Sequence, residues 1–249
     1  MAEGIRLSET STRAPGSFSK EKIKAKTQNI INELDELQNL LYAESKHSIL
    51  VVLQGMDASG KDGLIRNVFG KMNPQGVMVN SFKEPTKEEL AHDFLWRIHQ
   101  HTPARGMIQI FNRSHYEDIL VTRVHKWCDD KLAHKRMKAI NDFERLLGEH
   151  NDTHILKFYL HVSAEEQQQR LNERLNDKHK QWKYNDNDFK EAKLRDIYLR
   201  MYEDCFKHCN EVPWHIVPAD QNWYKEYIVA QKLLETLKGL KMRYPGLKK

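Results

Sequence analysis

Residues 47–54, His-Ser-Ile-Leu-Val-Val-Leu-Gln, form a short apolar run that stops at Gly55, where the chain reads Gly55-Met-Asp-Ala-Ser-Gly60-Lys61. A buried strand that breaks into G-x-x-x-x-G-K and continues as a helical pattern leaves the chain few folds to choose from. Glycines let the backbone wind its N–H groups around phosphate oxygens, the lysine reaches the terminal phosphates, and the helix N-terminus adds the positive end of its dipole. Gly55, Met56, Ala58, Ser59, Gly60 and Gly63 are the expected backbone contacts, with Lys61 as the side-chain contact. The competing reading is a plain glycine turn between a strand and a helix.

The same rhythm recurs downstream. Strand-like runs at 76–82, 107–111, 155–162 and 214–217 are separated by segments of helical spacing. Such alternation predicts an α/β fold of three layers, a five-stranded parallel sheet with helices on both faces, whose ligands sit at the carboxyl ends of the strands. An amphipathic helix is expected over 23–43 and a final helix over 223–240. The polar, charge-dense stretch 165–210 reads as helices standing away from the sheet as a lid. Residues 1–20 mix charge with Ser, Thr, Gly and Pro and predict a mobile N-terminal arm, leaving 21–249 as a single domain.

Composition bounds the rest. With 40 basic against 35 acidic residues among 249, the net charge of +5 leans toward anionic partners without arguing for nucleic acid. Three cysteines, Cys128, Cys205 and Cys209, predict no disulfide framework. No signal-like or membrane-spanning apolar run is present, so the expectation is a cytoplasmic protein. Cys205, His208 and Cys209 lack a fourth ligand at a familiar zinc spacing.

Two features of the loop ask for a cation. The residue after Lys61 is Asp62, where a hydroxyl is usual, and Asp57 places a second carboxylate inside the loop. Carboxylates facing phosphate repel it unless a hard cation intervenes, which points to Mg2+ held by Asp57 and Asp62. Asp62 also reads as a helix-start charge favoured by the dipole. The third strand ends in Asn112-Arg113-Ser-His-Tyr-Glu117-Asp118, putting a neutral amide where a metal-linked aspartate is common. The missing charge must then come from Asp57, Asp62, Glu117 or Asp118. Arg113 offers a planar fork for phosphate oxygens.

These segments resemble the polyphosphate kinase 2 family, in particular its class that accepts nucleoside mono- and diphosphates. The matching blocks are Gly55 to Asp62, Asn73-Pro-Gln-Gly76 with Ser81-Phe-Lys83, Phe111 to Glu117, Trp182-Lys-Tyr184 and Pro218-Ala-Asp220. The resemblance implies a phosphate-loop kinase fold with a helical lid and Mg2+-dependent transfer between inorganic polyphosphate and AMP or ADP. It implies Asp57, Lys61, Asp62, Arg113 and Glu117 as catalytic residues, Asn112 beside them, and a homo-oligomer. Tyr184 and Asn112 depart from the residues many relatives carry, Phe and Asp.

Along the lid, Arg170 and Arg174 share one helix face, with Lys178, Lys180 and Lys183 following. Alone this is a solvated face; the resemblance makes Arg170, Arg174 and Lys183 phosphate contacts. Lys83 and Arg123 are assigned to the same cleft, and Arg97 and Arg105 are weaker candidates. Trp182 either stacks on a base or anchors packing, His115 either touches phosphate or braces the loop, and 131–138 is a solvated charge run. The rival readings are an ATP-dependent nucleoside or small-metabolite kinase and a non-catalytic polyanion binder.

Overall fold

In the computed structural model, which describes residues 5–247, α1 (Lys20–Glu44) leads into β1 (Ser48–Gln54), the phosphate loop and α2 (Lys61–Val68). β2 (Val77–Ser81) and two one-turn helices, α3 (Lys87–Leu90) and α4 (Trp96–His99), precede β3 (Ile108–Asn112). The one-turn α5 (Val121–Val124) and the long α6 (Asp130–Asn151) lead to β4 (Thr153–His161). Then follow α7 (Ala164–Asn176), α8 (Asp186–Lys193), α9 (Arg195–His208), β5 (Trp214–Pro218) and α10 (Asn222–Gly239).

All five strands are parallel in the order β2-β3-β1-β4-β5. β1 sits at the centre and every one of its residues is buried, as a continuous apolar run between two helical layers requires. The register aligns Gln54 with Tyr159, and both side chains meet Tyr202 of α9, which marks that face of the sheet. On the same face Lys157 and Glu144 of α6, both fully buried, pair at 2.7 Å, and Lys157 also donates to Tyr116 Oη at 2.8 Å. α1, α2 and α10 pack on one another as the other layer.

Two sequence expectations change. Residues 5–14 do not behave as a mobile arm; they lie along the carboxyl end of the sheet, and residues 1–4 fall outside the described residues. Leu7 is 1% exposed, its N–H donates to Glu203 at 2.7 Å and its carbonyl bonds the His161 ring. Thr12 donates to Asp220 at 2.8 Å, and Ala14 N–H to Gln221 at 2.8 Å. The expected lid of 165–210 also divides, because α9 buries Tyr198, Tyr202, Cys205 and Phe206 and belongs to the core. Only α7, α8 and their connection project over the cleft. The three cysteines are free and buried.

Leu7→Ala should cost about 2–4 kcal/mol, the range for truncating a fully buried leucine, visible as a lowered midpoint in urea unfolding. Removing residues 1–14 should destabilise further; an unchanged midpoint would return this segment to the status of a loose arm.

Candidate active site

The phosphate loop fits the end of β1 because of two glycines. Gly55, at φ +147°, passes so near β4 that a Cβ there would stand 2.8 Å from the Leu160 carbonyl oxygen. Gly60, at φ +93°, is the cap of α2 and brings no side chain to its first turn, so the helix amides stay open to an anion. Between them Ala58 takes φ +62°, a left-handed conformation that alanine resists by about 1–2 kcal/mol. Arg113 adopts φ +61° at the end of β3. Strained non-glycine residues thus sit at both strand ends that face the cleft.

The cleft encloses about 820 Å³ at the carboxyl end of the sheet. Eight lysines and arginines line it against four carboxylates, so the chain's excess positive charge concentrates there. Lys61 is buried and donates to the carbonyls of Gly55 at 2.7 Å and Met56 at 3.2 Å. Burial and then the Arg113 charge draw its ammonium down to about 8. Arg113 bonds Asp57; burial alone would favour its neutral form, but Asp57 and Glu117 outweigh that and fix its charge. Asp62 accepts from Lys183 Nζ at 2.9 Å and from Asn112 Nδ2 at 3.0 Å. Burial pushes its carboxyl up, yet those two donors hold it below the usual range.

Every carboxylate on the cleft wall is therefore ion-paired: Asp57 with Arg113, Asp62 with Lys183, Glu173 with Lys180 and Asp188 with Arg174. Asp62, with 62% of its side chain exposed, and Asp57 offer hard oxygen donors on the cleft wall, and Asn112 turns its amide nitrogen to Asp62. The two carboxylates fit a magnesium ion that keeps most of its shell from water and phosphate. Glu117 lies deeper, where burial raises its carboxyl while Arg113 and Lys61 pull it back only in part.

The remaining candidates divide cleanly. Lys83, Asn112, Arg174 and Lys183 line the cleft as expected, together with Gly60, Gly63 and Ala58. Arg123 does not: its guanidinium is held by Asp130 at 2.7 Å and by Asp204 at 2.8 Å, between α6 and α9. This corrects its assignment as a phosphate contact. Arg170 borders the cleft, but all five of its N–H donors are taken, by Glu166 and the carbonyls of Ala58, Ser59, Ala219 and Asp220. It holds backbone and has no donor left for phosphate. Arg97 is buried against Phe82 and the Lys83 carbonyl, and Arg105 precedes β3 at the far end of the sheet.

His115 is fully buried against Tyr116 and lies 3.5 Å from Glu144, so it braces the strand-end loop. Trp182 is 77% exposed on the cleft rim, with Lys183 over its ring, which excludes the packing alternative. His134, Asp204 and His208 gather closely enough to hold a metal, yet the Arg123 guanidinium already occupies Asp204. Sequence reasoning missed Asp188, Asn222, Arg66 and Lys225. Lys225 is 1% exposed, and burial followed by the Arg170 charge draws its ammonium down to about 7. A lysine on a final helix carries no signal of such a place.

The profile of the polyphosphate kinase 2 (PPK2) family matches residues 17–245. The chain belongs to that family. It is 50% identical over 85% of its length to an AMP/ADP-polyphosphate phosphotransferase from Meiothermus ruber, covering 80% of that protein. It is 41% identical over 91% of its length to an ADP-polyphosphate phosphotransferase from Rhodopseudomonas palustris, covering 83% of it. The crystal structure of polyphosphate kinase 2 from Arthrobacter aurescens TC1 superposes with a TM-score of 0.95 at 41% identity, covering all of this chain and 90% of that one. The phosphate-loop kinase architecture of this PPK2 chain is thus the expected one.

Asp118, a further candidate for the metal, points away from the cleft, 3.9 Å from Arg97 and with no donor on Oδ2. Burial pushes its carboxyl up to about 6 against the pull of Arg97 and Arg136. A carboxyl that binds its proton more tightly folded than unfolded supports the fold below its ordinary value near 3.8, and that support fades as pH rises through 6. Asp118→Asn should flatten the loss of thermal stability between pH 4 and pH 6.5; an unaltered profile would show that Asp118 does not carry it.

Proposed function

We propose that this PPK2 chain transfers a phosphoryl group between inorganic polyphosphate and AMP or ADP. The observation that carries the reading is a cation-lined cleft whose four wall carboxylates are all ion-paired. A kinase acting on a neutral hydroxyl more often needs a carboxylate base. A nucleotide's terminal phosphate, with a second pKa of about 6 by analogy with phosphorylated side chains, needs none. The pairing therefore favours a phosphate acceptor over the nucleoside and small-metabolite kinase reading.

In this mechanism Lys61, the loop amides and Arg113 hold the oxygens of the moving group in line between donor and acceptor. Asp57 and Asp62 would hold magnesium, which would supply charge neutralisation on the phosphates. Glu117 keeps Arg113 and Lys61 in place from beneath. Arg174 and Lys183 on the lid take the phosphate chain, Lys83 meets it on the opposite wall, and Trp182 stacks on the base. Closure of α7 and α8 excludes water and limits hydrolysis.

The reading includes a homo-oligomer working in the cytoplasm without nucleic-acid or membrane partners. β2 at the sheet edge leaves Met78 and Val79 exposed for such an association. Among the described residues no helix is long and apolar enough to cross a membrane.

Offered ADP or AMP, polyphosphate and magnesium without ATP, the enzyme should form the higher nucleotide, measured by chromatography; no product would overturn the proposal. Asp62→Asn should lower kcat about 10²-fold, the scale on which a transition-state electrostatic contact acts, and raise the magnesium concentration needed for half-maximal rate. An unchanged magnesium dependence would remove Asp62 from the metal site.

A further inference from the structure

A phosphate loop binds anions with its N–H groups, so its carbonyls must point elsewhere and find donors. Here four consecutive carbonyls, those of residues 57–60, are held from outside. Gln167, 2% exposed, donates to Asp57 O at 3.1 Å. Arg170 donates to Ala58 O at 3.1 Å and Ser59 O at 3.2 Å. Lys225 donates to Ser59 O at 3.3 Å, to Gly60 O at 3.2 Å and to Asn222 Oδ1 at 2.8 Å. All three ammonium hydrogens of Lys225 are thereby engaged; Arg170 shares Ser59 O with it, and the Leu64 N–H of α2 shares Gly60 O at 3.1 Å.

Because a trans peptide is planar, its C=O and the following N–H point in opposite directions. Fixing a carbonyl outward therefore aims the next amide inward. The bonds to Ser59 O and Gly60 O, together with those of Arg170 and of the Leu64 N–H to the same oxygens, set the directions of the Gly60 and Lys61 amides, the two that open α2. The fit is close, since a Cβ on Gly60 would stand 2.2 Å from Lys225 Nζ. Glycine at 60 thus serves this lysine as well as the phosphate.

We propose that Lys225, on the last helix and outside the cleft, is a positioning residue that holds the phosphate loop in its anion-binding form through the carbonyls of Ser59 and Gly60. It touches no substrate and acts through the backbone. The inference deepens the polyphosphate reading and rests on it only for the kinetic assay. Since the loop grips phosphate before and during transfer, loss of the brace weakens ground and transition states alike and appears in KM more than in kcat. Mere loss of folded protein would instead lower apparent kcat at unchanged KM.

The test is Lys225→Met, which keeps the bulk and removes the ammonium, with its fold checked by circular dichroism. Hydrogen bonds from a charged group are worth about 1.5–3 kcal/mol, so a roughly tenfold or larger loss of phosphate affinity is expected. KM for polyphosphate or for ADP should rise at least fivefold, and so should the Kd of inorganic tripolyphosphate measured by calorimetry. Lys225→Gln, which keeps two donors without charge, carries the same threshold should the methionine variant not fold. Changes below fivefold in both KM values and in the tripolyphosphate Kd overturn the proposal. If the wild-type chain makes no product from polyphosphate, the functional reading fails, while the tripolyphosphate Kd still decides the role of Lys225.

Discussion

The close passage of Gly55 beneath Leu160 is the constraint on which the site depends. With no Cβ at 55, the chain leaving β1 turns at φ +147° against the neighbouring strand and carries the loop over the carboxyl end of the sheet. That turn places Lys61 under the loop and starts α2 with its amides facing the cleft. A side chain at 55 would drive the loop off β4, and Arg113, which leaves β3 in its own strained conformation, would lose Asp57 as its partner. The strain at Ala58 and Arg113 persists because donors and acceptors on three sides over-determine the loop.

Much of this was legible in residues 47–62, where apolar run, glycine spacing and lysine act over a few positions and need no distant partner. The strands emerged within two residues of their expected bounds, the central ones because parallel strands buried on both faces read as apolar runs, whereas the edge strand β2 is largely exposed. Residues 5–14 misled because Leu7, with the exposed Ile5 beside it, belongs to no apolar periodicity. Its partners, Glu203 and His161, lie some hundred and fifty residues or more away in sequence. Side-chain destinations were least legible. Arg123 and Arg170 are the right residue type for phosphate, but a guanidinium serves carboxylates and carbonyls as well, and only the fold decides which is near.

Exposure divides the cations of the cleft into two kinds. Lys183 and Asp62 are 34% and 62% exposed in their side chains, and pairs so open to water are worth about 0–1 kcal/mol. In the proposed reaction an arriving polyphosphate would replace such a pair at little cost, since its oxygens would take the lysine. Arg170 and Lys225 stand at the other limit. Lys225 is buried and Arg170 largely so, and removing Arg170 would leave the Ala58 carbonyl without a donor beneath the loop.

This separation explains how one cleft can be both rigid and exchangeable. The lid from α7 to α8 closes in the structure through Lys183 on Asp62, a contact whose acceptor is one of the proposed metal ligands. On the proposed reading, lid closure and metal binding would compete for the same carboxylate, and a phosphate chain engaging Lys183 would free Asp62 for a cation that neutralises the chain under the lid. The buried brace keeps the amides aimed throughout, so the exchange alters side-chain partners without reshaping the loop.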